Sequence, residues 1–157
     1  MIRPPSLDLA VIGNSHVAAL VDKEATIMWG CWPNIQGDAI FCALVDGTSP
    51  QSGFFSINFA DGAAKSEQTY VRNTAIVQTT LTDAAGASFR VTDFCPRFRQ
   101  HGRMFRPSMI IRRIEPLSGL CRIRVCLRPR TRYGAEKPRA VPGSNHIRYI
   151  SEENSVR

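Results

Sequence analysis

Residues 9–22, LAVIGNSHVAALVD, and residues 27–33, IMWGCWP, decide the fold of this chain. In the first stretch, two short apolar runs flank a polar connection at Asn14-Ser15-His16, and the second stretch carries Trp29 and Trp32. Short apolar or β-branched runs that are bounded by turn residues are typical of buried strands. The two stretches therefore predict buried strands that lead into a Trp-Pro turn.

The same pattern continues along the chain and predicts an almost all-β fold. The clearest hairpin spans residues 75–94, and its turn has Asp83 first and Gly86 fourth, the preference of a type I turn. Residues 41–44 are predicted to form one short helical turn. Many short, closely spaced strands favour an antiparallel β-sandwich over a parallel α/β sheet. The predicted strands cover residues 8–13, 18–22, 26–32, 53–59, 68–72, 75–83, 87–94, 106–115, 120–128 and 146–150.

The composition is that of an ordinary globular domain. Of the 157 residues, 43% are hydrophobic and 21% are charged, so a sizeable core is expected, and the length favours one domain over residues 1–157. No apolar run is long enough to span a bilayer, and residues 1–20 lack a basic leader followed by an uninterrupted apolar core. We therefore expect a cytoplasmic protein with no membrane partner.

The cysteines and histidines favour neither disulfides nor a metal site. The five cysteines are odd in number, form no CxxC pair and mostly lie in apolar strands, where a free thiol behaves as a small hydrophobic group. The three histidines are far apart and lack metal-ligand spacing. We therefore expect buried reduced thiols, no metal and no cofactor. The residues concerned are Cys31, Cys42, Cys95, Cys121, Cys126, His16, His101 and His146.

Positive charge dominates the chain, whose formal net charge is +7, and basic residues concentrate over residues 97–139. Alternation along a strand places Arg122, Arg124 and Arg128 on one face. Proteins that bind single-stranded nucleic acid interleave such charge with stacking aromatic rings, and this segment offers only Tyr133. The pattern therefore disfavours nucleic acid, and it favours a solvated sheet face or a surface that docks a partner domain.

The segment around the Trp-Pro turn is the best candidate for contact with a sugar. Aromatic faces stack on the apolar side of pyranose rings, and amides and carboxylates bind hydroxyl groups. The alternative is that the tryptophans belong to the core of the first sheet, which we favour for Trp29 and leave open for Trp32. The predicted substrate-binding residues are Trp29, Trp32, Asn34, Gln36 and Asp38.

Several phrases of the sequence, taken in order, resemble the amino-terminal domain of glycoside hydrolase family 15, which contains glucoamylases and trehalase-like enzymes. The opening over residues 9–33 is the first of them, and the resemblance extends over nearly the whole chain. After the Trp-Pro pair, Asn34-Ile35-Gln36 stands where the family has Arg-Phe-Asp. The later phrases are FCAL at 41–44, YVRNT at 70–74, VTDFCP at 91–96, LRPRTRYG at 127–134 and GSNH at 143–146.

The resemblance implies a large β-sandwich of the super-sandwich type, with the catalytic glutamates on an α/α barrel that follows it. A chain of 157 residues has no room for that barrel, so we expect a non-catalytic accessory domain that packs against the barrel and contributes to its substrate site. No residue of this chain is predicted to be catalytic. Asp93, in the TDF phrase, is predicted to hold a turn through backbone hydrogen bonds.

Two further expectations follow from the length of the chain. The family's sandwich is longer than this chain, so the sandwich is expected to be incomplete at its carboxyl-terminal end, with an open edge that favours a homodimer. The competing function is a stand-alone binding module for a carbohydrate or an acidic partner.

Overall fold

A computed structural model describes residues 6–46, 51–152 and 155–157, and nearly all of its regular structure is β. One 3-10 helix, Ala43–Val45, interrupts the strands near the predicted helical turn. The prediction of an all-β fold is confirmed. The strands are β1 (Ala10–Gly13), β2 (Ala18–Val21), β3 (Thr26–Trp32), β4 (Asp38–Phe41), β5 (Phe54–Phe59), β6 (Lys65–Tyr70), β7 (Val77–Thr82), β8 (Ser88–Phe94), β9 (Phe98–Gln100), β10 (Arg103–Phe105), β11 (Ile111–Ser118), β12 (Ile123–Arg128), β13 (Arg139–Pro142), β14 (Ile147–Ile150) and β15 (Ser155–Val156).

Two antiparallel sheets form the sandwich. The first has the order β1-β2-β3-β5-β12, with β4 paired to β3, and the second has the order β11-β8-β7-β6. Their inner faces share a core in which Ile57 and Phe59 of the first sheet pack with Leu81 and Phe89 of the second. The Phe59 and Phe89 rings meet edge to face, with their centroids 4.8 Å apart. A three-stranded sheet, β13-β14-β15, and a separate hairpin, β9-β10, complete the fold.

The predicted hairpin over residues 75–94 is confirmed. Its strands β7 and β8 pair in register from Val77 opposite Asp93 to Thr82 opposite Ser88. In the turn, the amide of Gly86 donates to the carbonyl of Asp83 at 3.2 Å, and Gly86 has a φ of +86°, which suits glycine. The alternation of buried and partly buried residues along β8 therefore matches the alternation in its sequence.

A buried ion pair within the second sheet, between Asp93 on β8 and Arg112 on β11, also links that sheet to the first. Asp93 does not hold a turn as predicted, because both of its carboxylate oxygens accept from Arg112, at 2.8 Å from Nε and 3.0 Å from Nη2. The remaining guanidinium hydrogen bonds cross to the first sheet, to the carbonyls of Ala25 and Phe55. The Arg112 guanidinium also lies over the Phe55 ring, 4.6 Å from its centroid. Both carboxylate oxygens and all three guanidinium nitrogens therefore have a partner inside the sandwich.

The strand predictions fail mainly where a strand is short or its residues are polar. Strands β4, β9, β10, β13 and β15 were not predicted, and the strand predicted over 106–115 begins only at Ile111. Strand β6, KSEQTY, begins at Lys65, earlier than the predicted 68–72. Its first residues are polar because β6 is an edge strand that is largely exposed to solvent, so apolar alternation does not mark its start. Pairing with a neighbouring strand, not apolar alternation, determines these elements.

The sandwich is open along β11 and β12, which are the edge strands of the two sheets and are joined by a short connection. Ile114 pairs with buried Val91, and Val125 pairs with buried Ile57, so both side chains point toward the interior. They are nevertheless 37% and 57% exposed. The apolar interior therefore meets solvent on this side.

Candidate functional site

Four connecting segments meet at one end of the sandwich. They are the β1–β2 turn, the Trp-Pro loop between β3 and β4, the residues that follow β8 and the residues that precede β11. Asn14 is buried at their centre. Its Nδ2 donates to the carbonyls of Pro96 and Pro107, both at 2.9 Å, and its Oδ1 accepts from the amides of His16 and Val17, both at 3.0 Å. One side chain thus uses its full hydrogen-bonding capacity to hold three segments together.

Replacing Asn14 with alanine is expected to lower the free energy of unfolding by about 2–3 kcal/mol, because buried backbone groups lose their partners. Asn14→Asp should cost a similar amount, since a carboxylate cannot donate to the two proline carbonyls. Asn34→Ala is a matched control that removes one exposed side-chain bond, to the Gln36 amide. Urea unfolding of the three variants tests this. Wild-type stability of Asn14→Asp would show that the amide does not clamp these segments.

The Trp-Pro loop is fixed from two sides. The amide of Ile35 donates to the carbonyl of His16 at 3.0 Å, and Oγ of Ser108 donates to the carbonyl of Pro33 at 2.6 Å. The Trp32–Pro33 peptide bond is cis. Inside the loop, Asn34 Oδ1 accepts from the Gln36 amide at 2.9 Å. The loop therefore has a defined position beside the β1–β2 turn.

The five predicted sugar-binding residues do not converge on one surface. Trp32 packs against the core of the sandwich, whereas Trp29 lies on the outer face of the first sheet. The assignment of Trp29 to the core is therefore wrong. Asp38 is engaged, because its Oδ1 accepts from the Tyr133 amide at 2.7 Å, and Gln36 is exposed. Trp29 lines a shallow apolar groove of about 170 Å³ with Ala18, Ala19, Leu20, Cys31 and Ile35.

A larger cleft lies at the same end of the sandwich, and no motif in the sequence predicted it. Its volume is about 770 Å³, within the range of small-molecule sites. Hydroxyl groups of Ser15 and Thr74, the Asn73 amide, the Arg97 guanidinium and the Phe98 ring are among its lining groups. These groups can hydrogen-bond to hydroxyls and contact an apolar ring face. Glycoside hydrolysis needs two carboxyl groups, and the cleft lining contains none.

Burial is the main cause of the pKa shifts of Cys95 and Asp22. All five cysteines are free, and burial raises the pKa of the Cys95 thiol to about 11, so this thiol stays protonated at neutral pH. Burial also raises the pKa of Asp22, whose carboxylate accepts from the Thr26 amide in the β2–β3 turn. Over the described residues, no three His, Cys, Asp or Glu side chains are grouped so that they could hold a metal ion. In the same part of the chain, no helix has the length and apolar character to cross a membrane.

Comparison with known proteins places the chain among trehalase-like sequences. Residues 4–156 match the family model described as trehalase-like, N-terminal. A trehalase of Thermoplasma volcanium is 27% identical over 146 residues, which cover 92% of this chain and 23% of that protein. A trehalase of Thermoplasma acidophilum is 30% identical over 120 residues, or 76% of this chain and 20% of that protein. The matches thus span about a fifth to a quarter of these curated relatives. No solved structure matches the chain significantly.

Proposed function

The chain belongs to the trehalase-like N-terminal family, and we propose that it is a non-catalytic accessory domain, over residues 1–157, of a glycoside hydrolase of family 15, trehalase- or glucoamylase-like. In this proposal the domain packs against a catalytic α/α barrel and contributes to its substrate site. The barrel supplies the acid and base, and this chain supplies a rigid surface beside the substrate.

The observation that carries the proposal is the construction of the loop end. The Trp-Pro loop, the β1–β2 turn and the 770 Å³ cleft lie side by side, and Asn14 fixes the segments around them. A surface that completes another domain's site must keep its shape before the two meet, because ordering it on contact would weaken the association. The hydroxyl, amide and guanidinium groups of the cleft can all hydrogen-bond to the hydroxyls of a glucoside.

A chimeric trehalase tests this function. In the Thermoplasma volcanium trehalase, the segment of 146 matched residues is replaced by this chain, and glucose release from trehalose is measured. We expect the chimera to be active and to lose activity when the segment is deleted. Equal activity with and without the segment would show that the domain does not serve the catalytic site.

A second candidate function is a stand-alone carbohydrate-binding module, and the outward position of Trp29 favours it. A tryptophan that lines an apolar groove can stack on a sugar ring, and Ile35 of the same groove adjoins Asn34 and Gln36. Maltooligosaccharide binding to the isolated chain that is lost in Trp29→Ala would support this function. Absence of binding would exclude it and leave the accessory role as the remaining function. Asp38 would act here only indirectly, by binding the Tyr133 amide next to the start of β4.

We also propose that the isolated chain forms a homodimer through the open side of the sandwich. The edge strands on the other side of the sandwich, β1 and β6, are protected. Strand β6 carries Lys65 and Glu67 along its exposed edge, and the Tyr70 hydroxyl bonds to both the amide and the carbonyl of Val11 on β1. On β12, Tyr149 covers the carbonyl of Leu127, but exposed Val125 lies farther along the same strand. A second copy can cover this edge, and twofold pairing is the commonest arrangement.

Sedimentation over a range of concentrations is expected to show a dimer that strengthens with salt, because added salt screens the positive charge beyond about 8 Å at physiological strength. Val125→Lys should abolish the dimer, since an inward-pointing charge blocks edge pairing. Val11→Lys places the same charge on the protected edge and should leave the dimer intact. A strictly monomeric wild-type chain at high concentration would contradict the proposal.

A further inference from the structure

The hairpin of β9 and β10 packs little on the rest of the described chain. Its two strands pair only with each other in the described structure, and all residues from Arg97 to Arg106 are exposed. An isolated two-stranded hairpin is marginally stable in water. A hairpin of this kind therefore gains most of its packing from something outside the domain.

Apart from Gln100 and His101, the exposed side chains of the hairpin are apolar or positively charged. Phe98 and Phe105 stack on each other, with ring centroids 5.7 Å apart and planes 12° apart, and are 46% and 40% exposed. Met104 pairs with Arg99 and is exposed on the opposite face of the hairpin. Between Asp93 and Glu115 the sequence contains no acidic residue. The arginines of the hairpin are Arg97, Arg99, Arg103 and Arg106.

The hairpin is anchored where it leaves the domain. The carbonyls of Pro96 and Pro107 flank it on either side, and both accept from Nδ2 of Asn14. One amide group therefore clamps both ends of the excursion and sets it beside the cleft, whose lining includes Arg97 and Phe98. Because the clamp fixes both ends of the hairpin, only the residues between them have to be ordered when it binds.

We propose that this hairpin is the docking element of the domain, and that its partner is an acidic groove with an apolar floor on the catalytic domain. Aromatic, methionine and arginine side chains are enriched in protein interfaces, and aromatic and arginine residues contribute most of the binding energy. The arginines require carboxylates opposite them, and the Phe98–Phe105 pair requires an apolar pocket. The choice of partner rests on the proposed function.

The ring geometry favours a protein groove over single-stranded nucleic acid. Successive bases need separate aromatic faces on which to stack. Here Phe98 and Phe105 each cover one face of the other, so they form one compact apolar knob. Arg103 lies on the same face of the hairpin as this knob, and Arg99 lies on the opposite face, so the hairpin matches an apolar pocket with acidic groups around it.

Hydrogen exchange in the chimeric trehalase tests the docking. The exchange rates of the amides of residues 98–105 are measured in the isolated chain and in the chimera. We expect exchange to be about tenfold slower in the chimera, because docking protects a hairpin that is otherwise open to solvent. Arg99→Glu with Arg103→Glu, or Phe98→Ser with Phe105→Ser, should restore fast exchange. Arg139→Glu with Arg148→Glu, on exposed sites of β13 and β14, is the matched control and should change nothing at the hairpin.

The outcomes separate this inference from the proposed function. An active chimera whose hairpin amides exchange as fast as in the isolated chain would overturn the docking role and leave the accessory function standing. A chimera that is equally active without this segment would remove the accessory function and the docking partner together. Binding of the isolated chain to a mixed-sequence single-stranded oligonucleotide, lost in the Phe98→Ser, Phe105→Ser variant, would assign the hairpin to nucleic acid instead.

Discussion

Replacing Arg112 with methionine is expected to lower the free energy of unfolding by about 3–5 kcal/mol, because it leaves a buried carboxylate without its partner. The side chains of Arg112 and Asp93 are 3% and 0% exposed, so water cannot compensate the lost charge. The carbonyls of Ala25 and Phe55 lose their donors in the same variant. Urea unfolding followed by circular dichroism measures the change.

Two variants isolate the ion pair from other effects. Arg113→Met alters the next residue of the same strand, whose ion pair with Glu115 is exposed, and should cost at most about 0.5–1 kcal/mol. Asp93→Leu combined with Arg112→Met should recover part of the loss, because an apolar pair needs no charge compensation. A loss below about 1 kcal/mol for Arg112→Met would show that the pair does not hold the sheets together.

Trp32→Ala is expected to cost about 3 kcal/mol, since the ring packs against the core cluster and its removal leaves a cavity. Trp29→Ala is the natural comparison, because Trp29 lies on the same strand but on the outer face. This variant should lower the free energy of unfolding by no more than about 1 kcal/mol. Thermal melts of the two variants give the comparison directly. The opposite order would mean that Trp29, not Trp32, belongs to the core.

The tryptophans show where prediction from sequence reaches its limit. Simple alternation from buried Ile27 would turn Trp29 inward as well. The register between β2 and β3 shifts, so that Val21 pairs with Ile27 and Leu20 pairs with Trp29. This bulge reverses the faces, and Gly30 takes the inner position against Phe41. Such a shift depends on the neighbouring strand, and the one sign of it in the sequence of β3 is Gly30, since glycine inside a strand often accompanies a bulge.

The local elements were predictable and the long-range ones were not. The turn from Asp83 to Gly86 and the strands beside it follow from neighbouring residues. Asn14, by contrast, bonds to Pro96 and Pro107, which lie 82 and 93 positions away. The cleft and the position of the β9–β10 hairpin depend on this clamp, so they emerge only when the segments meet in the folded chain.

Glucose release from trehalose by the purified 157-residue chain, measured beside the chimeric trehalase, tests the central claim most directly. The account predicts no release by the chain alone, from trehalose, maltose or starch oligosaccharides, and release by the chimera, because the proposed function assigns the catalytic carboxylates to the barrel. Release by the chain alone that rises with its concentration, and that disappears when one of its own carboxylates is mutated, would contradict the account.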